Sequence, residues 1–409
     1  MNSRSLPPWR LRWIQEQVRQ QPSSLFLAVP GFSPDDSESW DSHFMPIWYE
    51  IRDQMLESTP KSIDSMVQHL MDRGLLVVAK DYYGLQSAQD LVFACIGWHT
   101  MLYQPLFETP SHHPSHEFSI VDEMDEHIGE AHVRHTQTRP SSKRNLPDFL
   151  LGFGVMLPPK NFCAFDDQDD RNAFAQIKRA CPEDLDAYLL SKMCGIRFEW
   201  IDSLSCHLEL DKNTNTLFLY RYPSFCVENL QQHMQGKADM ENSQSSILCS
   251  CASDSAPRSW AQEEDVVELL QEILLSYRLI FGQSRRSRKL FRKLRPFPPS
   301  VPRTSQDRLL LEICTQKDSE CDDVPADQLE YDLIQDFPHL RGRLSRLRNH
   351  VSLKKPRSLK ELWLDNRDSA TWLTFWAVLI FGSMGVLLSL LQLIFQVLQW
   401  AQGLHSGGD

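Results

Sequence analysis

Seven of the fourteen histidines in this 409-residue chain fall between residues 99 and 135. His112, His113 and His116, then His127, His132 and His135, are mixed with Glu117, Asp122, Glu123, Asp125, Glu126 and Glu130. Imidazole and carboxylate at close spacing are ligands that zinc and related ions accept, which makes His112, His113 and His116 the candidate metal ligands. Their spacing matches no established pattern such as H-E-x-x-H. The same composition suits a solvated, flexible loop over 109–147, and that bland reading outweighs a metal-dependent site.

A second cluster is cationic. Arg285–Arg295 (RRSRKLFRKLR) holds seven basic residues in eleven. On a helix, Leu290, Phe291 and Leu294 share one side, leaving Arg285, Arg286, Arg288, Lys289, Arg292 and Lys293 to meet anionic lipid head groups. The bland alternative is a basic, proline-rich linker over 283–303. Lys293 to Pro299 also fits a basic-x-x-P-x-x-P ligand pattern, and PFPPSVP (296–302) reads as extended.

Familiar catalytic fingerprints are missing. The chain has no G-x-S-x-G, no G-x-x-x-x-G-K-[ST], no G-x-G-x-x-G and no zinc-finger spacing. The ten cysteines form no C-x-x-C pair and read as reduced, mostly buried small apolar residues. No catalytic residue and no cofactor is expected, and a non-enzymatic role is favoured. An enzyme with an unrecognised, metal-dependent site is the alternative, and an anionic-lipid-contact protein is a third reading.

The elements that must position these groups divide by charge. Residues 1–280 carry 23 basic and 40 acidic side chains, a balance of −17, and residues 281–409 carry 19 and 14, a balance of +5. An acidic body argues against a nucleic-acid partner. Trp9, Arg10, Trp13, Ile14 and Val18 space as a short helix that packs on the body, the alternative being the membrane surface. Ser87–Phe107 is apolar at i, i+3 and i+4 and too short to span, so it predicts a central core helix. Alternation on both sides of the turn DKNTNT predicts a β-hairpin near 205–222. Glu263–Phe281, with acids in its first turn and Gly282 beyond its end, predicts an amphipathic helix.

The fold class expected is therefore a mainly α (α+β) cytosolic body plus one C-terminal transmembrane helix. Its parts are a helical segment 1–108, the His/acid-rich loop 109–147, a second part of the body at 148–282, the linker 283–303, and a short helical module with a basic neck at 304–368. The membrane helix follows at 370–400, with a short tail, 401–409.

Trp372 to Trp400 contains no charged side chain over 29 residues. At about 1.5 Å per residue it reaches roughly 40 Å, more than the ~30 Å hydrocarbon core requires. Between Arg341 and Arg367 lie nine basic residues and two acids, and no Lys or Arg follows the helix. The positive-inside rule then predicts a single-pass protein with its N-terminal body in the cytosol. The tail of nine residues predicts tail-anchor insertion. The lack of a basic cluster there favours the endoplasmic reticulum or a later secretory membrane over the mitochondrial outer membrane. Gly382, Gly385, Ser389, Gln392 and Gln396, with Gln399, recur at steps of three and four and form a candidate helix–helix seam. The partners implied are the lipid bilayer, a second copy or another membrane protein along this seam, and a protein partner for the body.

Three stretches together carry a resemblance: FACIGWHTMLYQP (93–105), FEWIDSLSCHLELD with LFLYRYPSFC (198–211 and 217–226), and PRSLKELWLDNRDSATWLTFWAVLIFG (356–382). In these the chain resembles uncharacterised filamentous-fungal proteins with a single C-terminal transmembrane helix. The resemblance implies an accessory membrane-anchored protein and brings no catalytic residue with it.

Overall fold

A computed structural model of the chain describes residues 6–57, 59, 61–78, 82–107, 117–125, 130–154, 158–163, 165–238, 246–252, 262–317, 326–354 and 369–405. It divides into two compact units, residues 1–353 and residues 354–409. The first is mainly helical with small sheets, as the hydrophobic periodicity predicts.

Helix α1 (Pro8–Arg19) begins at a proline, whose fixed φ suits a first helical position. It packs on the body rather than standing free. Trp9 stacks on Tyr222 with ring centroids 4.9 Å apart, and Trp13 donates its Nε1–H to Asp202 at 2.9 Å. Helices α2 (Met45–Leu56) and α3 (Ile63–Asp72) follow, the latter started by a reciprocal Ser62–Ser65 cap. Helix α4 (Tyr82–Thr100) is the axis of the core: Leu91, Val92, Phe93, Ala94, Cys95, Ile96 and Trp98 are all fully buried. A helix apolar on every side must be surrounded, and each large side chain hidden here contributes roughly 1.5–3 kcal/mol. The expected helix over Ser87–Phe107 ends early, because Met101 turns into the left-handed region at φ 51°.

The segment 109–147 departs from the expected loop. Strand β2 (Glu117–Asp125) pairs antiparallel with β3 (Glu130–Thr138), and the short β1 (Gln104–Pro105) edges β2. Phe118 and Ile120 alternate toward the core and are buried, a period-two signal that the surrounding acids and histidines obscured. Arg139 closes the sheet over the Phe118 ring at 4.4 Å and pairs with Asp90 at 2.7 Å.

Beyond α5 (Leu146–Leu151) and α6 (Gln168–Gln176), strand β4 (Arg179–Ala180) precedes α7 (Ala187–Lys192). The predicted hairpin is present but shorter. Strands β6 (Leu210–Asp211) and β7 (Thr216–Tyr220) pair antiparallel, with Asp211 Oδ1 accepting from the N–H groups of Asn213 and Thr214 across the turn. The upstream arm is lost to a tight turn at 204–206 and to Leu208 at φ 65°. A parallel neighbour, β5 (Arg197–Ile201), takes the other side of β7, giving the order β5-β7-β6.

Helices α8 (Pro223–Ala238) and α9 (Ile247–Ser250) lead to α10 (Glu263–Tyr277), which ends in a single π turn over Arg278–Gly282. Such turns leave the regular ladder, and this one opens at Arg278. Its guanidinium is 1% exposed and gives all five N–H donors. Asp327 takes two (2.7 and 2.6 Å), and the carbonyls of Ile313, Gln316 and Lys317 take the others (3.0, 2.8 and 2.8 Å). A Cβ at Gly282 would lie 2.8 Å from Arg278 Cζ, so the close approach requires glycine.

The expected linker 283–303 and residues 304–353 of the expected 304–368 module belong to the body. Helix α11 (Arg285–Phe291) buries Phe291, and the proline-rich stretch buries Phe297 and Val301 instead of running free. Helix α12 (Arg308–Thr315), strand β8 (Tyr331–Asp332), paired with β4, and helix α13 (Arg341–Leu353) complete the unit. Helix α13 is anchored by its own arginines: Arg343 pairs with the buried Glu209 at 2.6 Å, Arg346 with the buried Asp170 at 3.2 Å, and Arg348 with Asp184 at 2.9 Å.

The second unit contains helix α14 (Ser369–His405). Within it Trp376–Trp400 is the one described span long and apolar enough to cross a membrane, and none of it is buried.

Candidate functional site

The sequence candidates separate on the structure. His112, His113 and His116 lie outside the described residues. On α11, Ser284 caps the helix and Ser287 and Phe291 face inward. Arg285, Arg286, Lys289, Arg292 and Lys293 are exposed on and just beyond it. Arg286 lies 5.6 Å from the Tyr188 ring. Arg288 turns the other way, donating from Nη1 to the carbonyls of Gly282 (2.5 Å) and Gln283 (3.0 Å). It closes the π turn, so five of the six proposed lipid contacts remain on the surface.

On α14, residues Gly382, Gly385, Ser389, Gln392, Gln396 and Gln399 are exposed and, at helical spacing, lie along one side. A Cβ at Gly382 or Gly385 would meet nothing within 4 Å. The Ser389 hydroxyl donates to Gly385 O at 2.9 Å, satisfying itself within its own helix.

A buried histidine–serine pair invites comparison with a nucleophilic dyad and fails it. His207 Nδ1 accepts the Tyr220 N–H at 3.1 Å, so its proton is on Nε2, which meets Ser276 Oγ at 2.7 Å. Ser276 in turn donates to Ile273 O at 2.7 Å. A base must accept the serine proton at that nitrogen, whereas here Nε2 donates. Burial, with the Arg343 guanidinium nearby, pushes the His207 pKa down to about 3 and keeps the ring neutral. The pair is a core hydrogen bond.

The chemically unusual cluster lies elsewhere, and no sequence motif announced it. Asp265 and Glu268, one turn apart at the start of α10, face His339 in the turn before α13 and Lys160 in the loop after α5. Lys160 Nζ sits 2.6 Å from Asp265 Oδ1 and 3.0 Å from Glu268 Oε2. The hydrogen bond to Asp265 raises the Lys160 pKa. Burial is the largest single influence on Asp265 and works against its ionisation, but the hydrogen bonds from Lys160 and the Gln262 N–H, with the Lys160 charge, together outweigh it and leave that carboxyl below its usual range. His339 is 4% exposed; its Nδ1–H donates to Pro158 O at 2.6 Å, and its backbone N–H is held by Glu272. Glu272 also accepts the Leu340 N–H at 2.7 Å, and burial pushes its pKa up to about 8. His339 Nε2 has no hydrogen-bond partner among the described residues; Glu268 Oε2, at 3.9 Å, is too distant for one. Burial lowers the His339 pKa, so the imidazole is neutral and Nε2 carries a lone pair. The one legible signal was the i, i+3 acid pair, Asp265 and Glu268; His339 is too remote in sequence to join it.

Comparison with family models, curated proteins and solved structures finds no match for this chain.

Proposed function

We propose that the chain is a membrane-tethered, non-enzymatic interaction protein whose body works on the cytosolic face of a secretory-pathway membrane. The observation that carries this reading is the Trp376–Trp400 helix, 25 uncharged and mainly apolar residues of which none is buried. An exposed apolar surface of that length is unfavourable in water and favourable in hydrocarbon. Four of the nine basic residues counted beside the span, Arg341, Arg343, Arg346 and Arg348, are tied up in the body. Lys354, Lys355, Arg357, Lys360 and Arg367 still stand against Glu361, Asp365 and Asp368 before the helix, with no Lys or Arg after it. That asymmetry supports a cytosolic body. The resemblance to fungal membrane-anchored proteins points the same way. The Gly/Ser/Gln side of α14 supports lateral association.

The test is alkaline extraction with protease accessibility in cells expressing the full chain. The protein stays with membranes, its body is cut from the cytosolic side, and deleting 376–400 releases it. A full chain that alkaline carbonate extracts would refute the anchor. Replacing Gly385 and Ser389 by Leu weakens self-association in a membrane reporter; unchanged association would remove the seam as a self-contact.

A second reading, contact with anionic head groups, is supported by the exposed Arg285, Arg286, Lys289, Arg292 and Lys293. Binding to liposomes that rises with anionic lipid content supports it, and indifference to that content removes it.

A further inference from the structure

We propose that Asp265, Glu268 and His339 form a binding site for a divalent transition-metal ion of the zinc or manganese class, with Lys160 as its displaceable occupant. An ordinary surface ion-pair network needs only the lysine and the two acids. The imidazole is the additional element. Its Nδ1 is held on Pro158 O at 2.6 Å, which turns Nε2, buried and unpartnered among the described residues, toward the carboxylates. Metal-bound histidines are oriented in this way, by a carbonyl or carboxylate on the far nitrogen. Here Nε2 faces Glu268 Oε2 across 3.9 Å; Lys160 Nζ serves that oxygen at 3.0 Å, but no donor or acceptor among the described residues reaches Nε2. A buried ring nitrogen left unpartnered beside a carboxylate oxygen is unfavourable, and a cation between the two makes the arrangement favourable.

The remaining geometry agrees. One ligand atom from each of the three residues lies within 4.8 Å of the others. Metal–ligand bonds of about 2.0–2.2 Å place ligand atoms roughly 3–3.5 Å apart, so modest side-chain rotation closes the set. The scaffold is firm where it must be: the His339 and Leu340 N–H groups are both held by Glu272. Lys160, by contrast, is 40% exposed on its loop, and its ammonium can leave to solvent without disturbing the core. The position is already organised for positive charge, since the lysine occupies it. One imidazole with two carboxylates favours zinc or manganese over magnesium or calcium, which take oxygen sets.

The test uses the full chain in detergent micelles, with His112, His113 and His116 replaced by Ala so that the separate histidine run does not contribute. Zinc binding is measured by equilibrium dialysis, and cobalt binding by visible absorption. One ion binds per chain. Lys160→Ala, which frees both carboxylates, tightens binding by about tenfold or more, and adding Glu268→Gln or His339→Gln reverses that gain by about the same factor. Glu268 is 42% exposed, so its isosteric replacement leaves the fold in place, as circular dichroism checks. A folded Lys160→Ala chain without stoichiometric zinc overturns the proposal. So does stoichiometric binding that Glu268→Gln leaves unchanged. Membrane extraction of the same variants is unaffected in either case, so this result stands apart from the anchoring test.

Discussion

Replacing Arg278 tests whether the π turn after α10 is held by a five-donor fork or by charge alone. In Arg278→Met the apolar stem is kept and every donor is lost. Three carbonyls, those of Ile313, Gln316 and Lys317, then lose their partner, and Asp327 loses both of its hydrogen bonds. Removing one member of a buried ion pair costs about 3–5 kcal/mol. Asp327 is 39% exposed and can regain water, so its share is reduced and the carbonyls carry most of the effect. The expected destabilisation is therefore near the lower end, about 3 kcal/mol. Arg278→Lys restores the charge with three donors on one nitrogen, which cannot reach acceptors spread around a planar fork; it recovers about 1 kcal/mol of that loss. Urea unfolding of the full chain in micelles, followed by tryptophan fluorescence, measures both. A Met variant within 1 kcal/mol of the parent would refute the reasoning. A Lys variant of parental stability would show that a point charge suffices.

Two further outcomes follow from the core. His207 is buried with its pKa held at about 3, below the ~6.5 of an unfolded histidine. Only the unfolded chain takes up this proton as pH falls through 6.5, so the contribution is complete above that pH and is lost progressively toward pH 3. Between pH 6.5 and 5 it removes about 2 kcal/mol, and His207→Gln flattens that part of the stability curve; an identical slope in the two proteins would refute it. Gly97→Ala places a Cβ 2.6 Å from the Tyr103 ring, which is pinned by its hydroxyl on Phe93 O and by stacking on the Phe93 ring at 5.1 Å. With no room for the ring to move, the cost is about 1–3 kcal/mol, read as a lowered urea midpoint; an unchanged midpoint means the ring gives way.

The long apolar and amphipathic segments were legible because their periodicity reports burial directly. The core helix around Phe93, the helix from Glu263 and the membrane-length span all appear near their expected places. The β2–β3 hairpin was not legible, since among its described side chains only Phe118 and Ile120 are buried apolar residues while acids and histidines dominate the composition. The arginines of α13 misled for a physical reason: a guanidinium counted as a membrane-proximal charge is, in Arg343 and Arg346, a partner for a buried carboxylate. Sequence reports charge but not its pairing. Of the Lys160–Asp265–Glu268–His339 cluster, composition could offer only the acid pair, because His339 arrives by tertiary folding across the chain.

The place of α13 also sets an order of events during synthesis. Glu209 is hidden in the body and takes its counter-charge from Arg343 of α13, whereas the buried Asp170, already paired with Lys212 at 2.6 Å, gains Arg346 as a second partner, so the preceding chain lacks this counter-charge for Glu209 until Arg343 has been made. Fifteen residues, 354–368, then separate the body from the first turn of the apolar helix. At about 5–20 residues per second they take roughly one to three seconds. The body's completion and the anchor's appearance are thus nearly simultaneous, and a chain that stalls before Arg343 is left with neither a finished body nor an anchor.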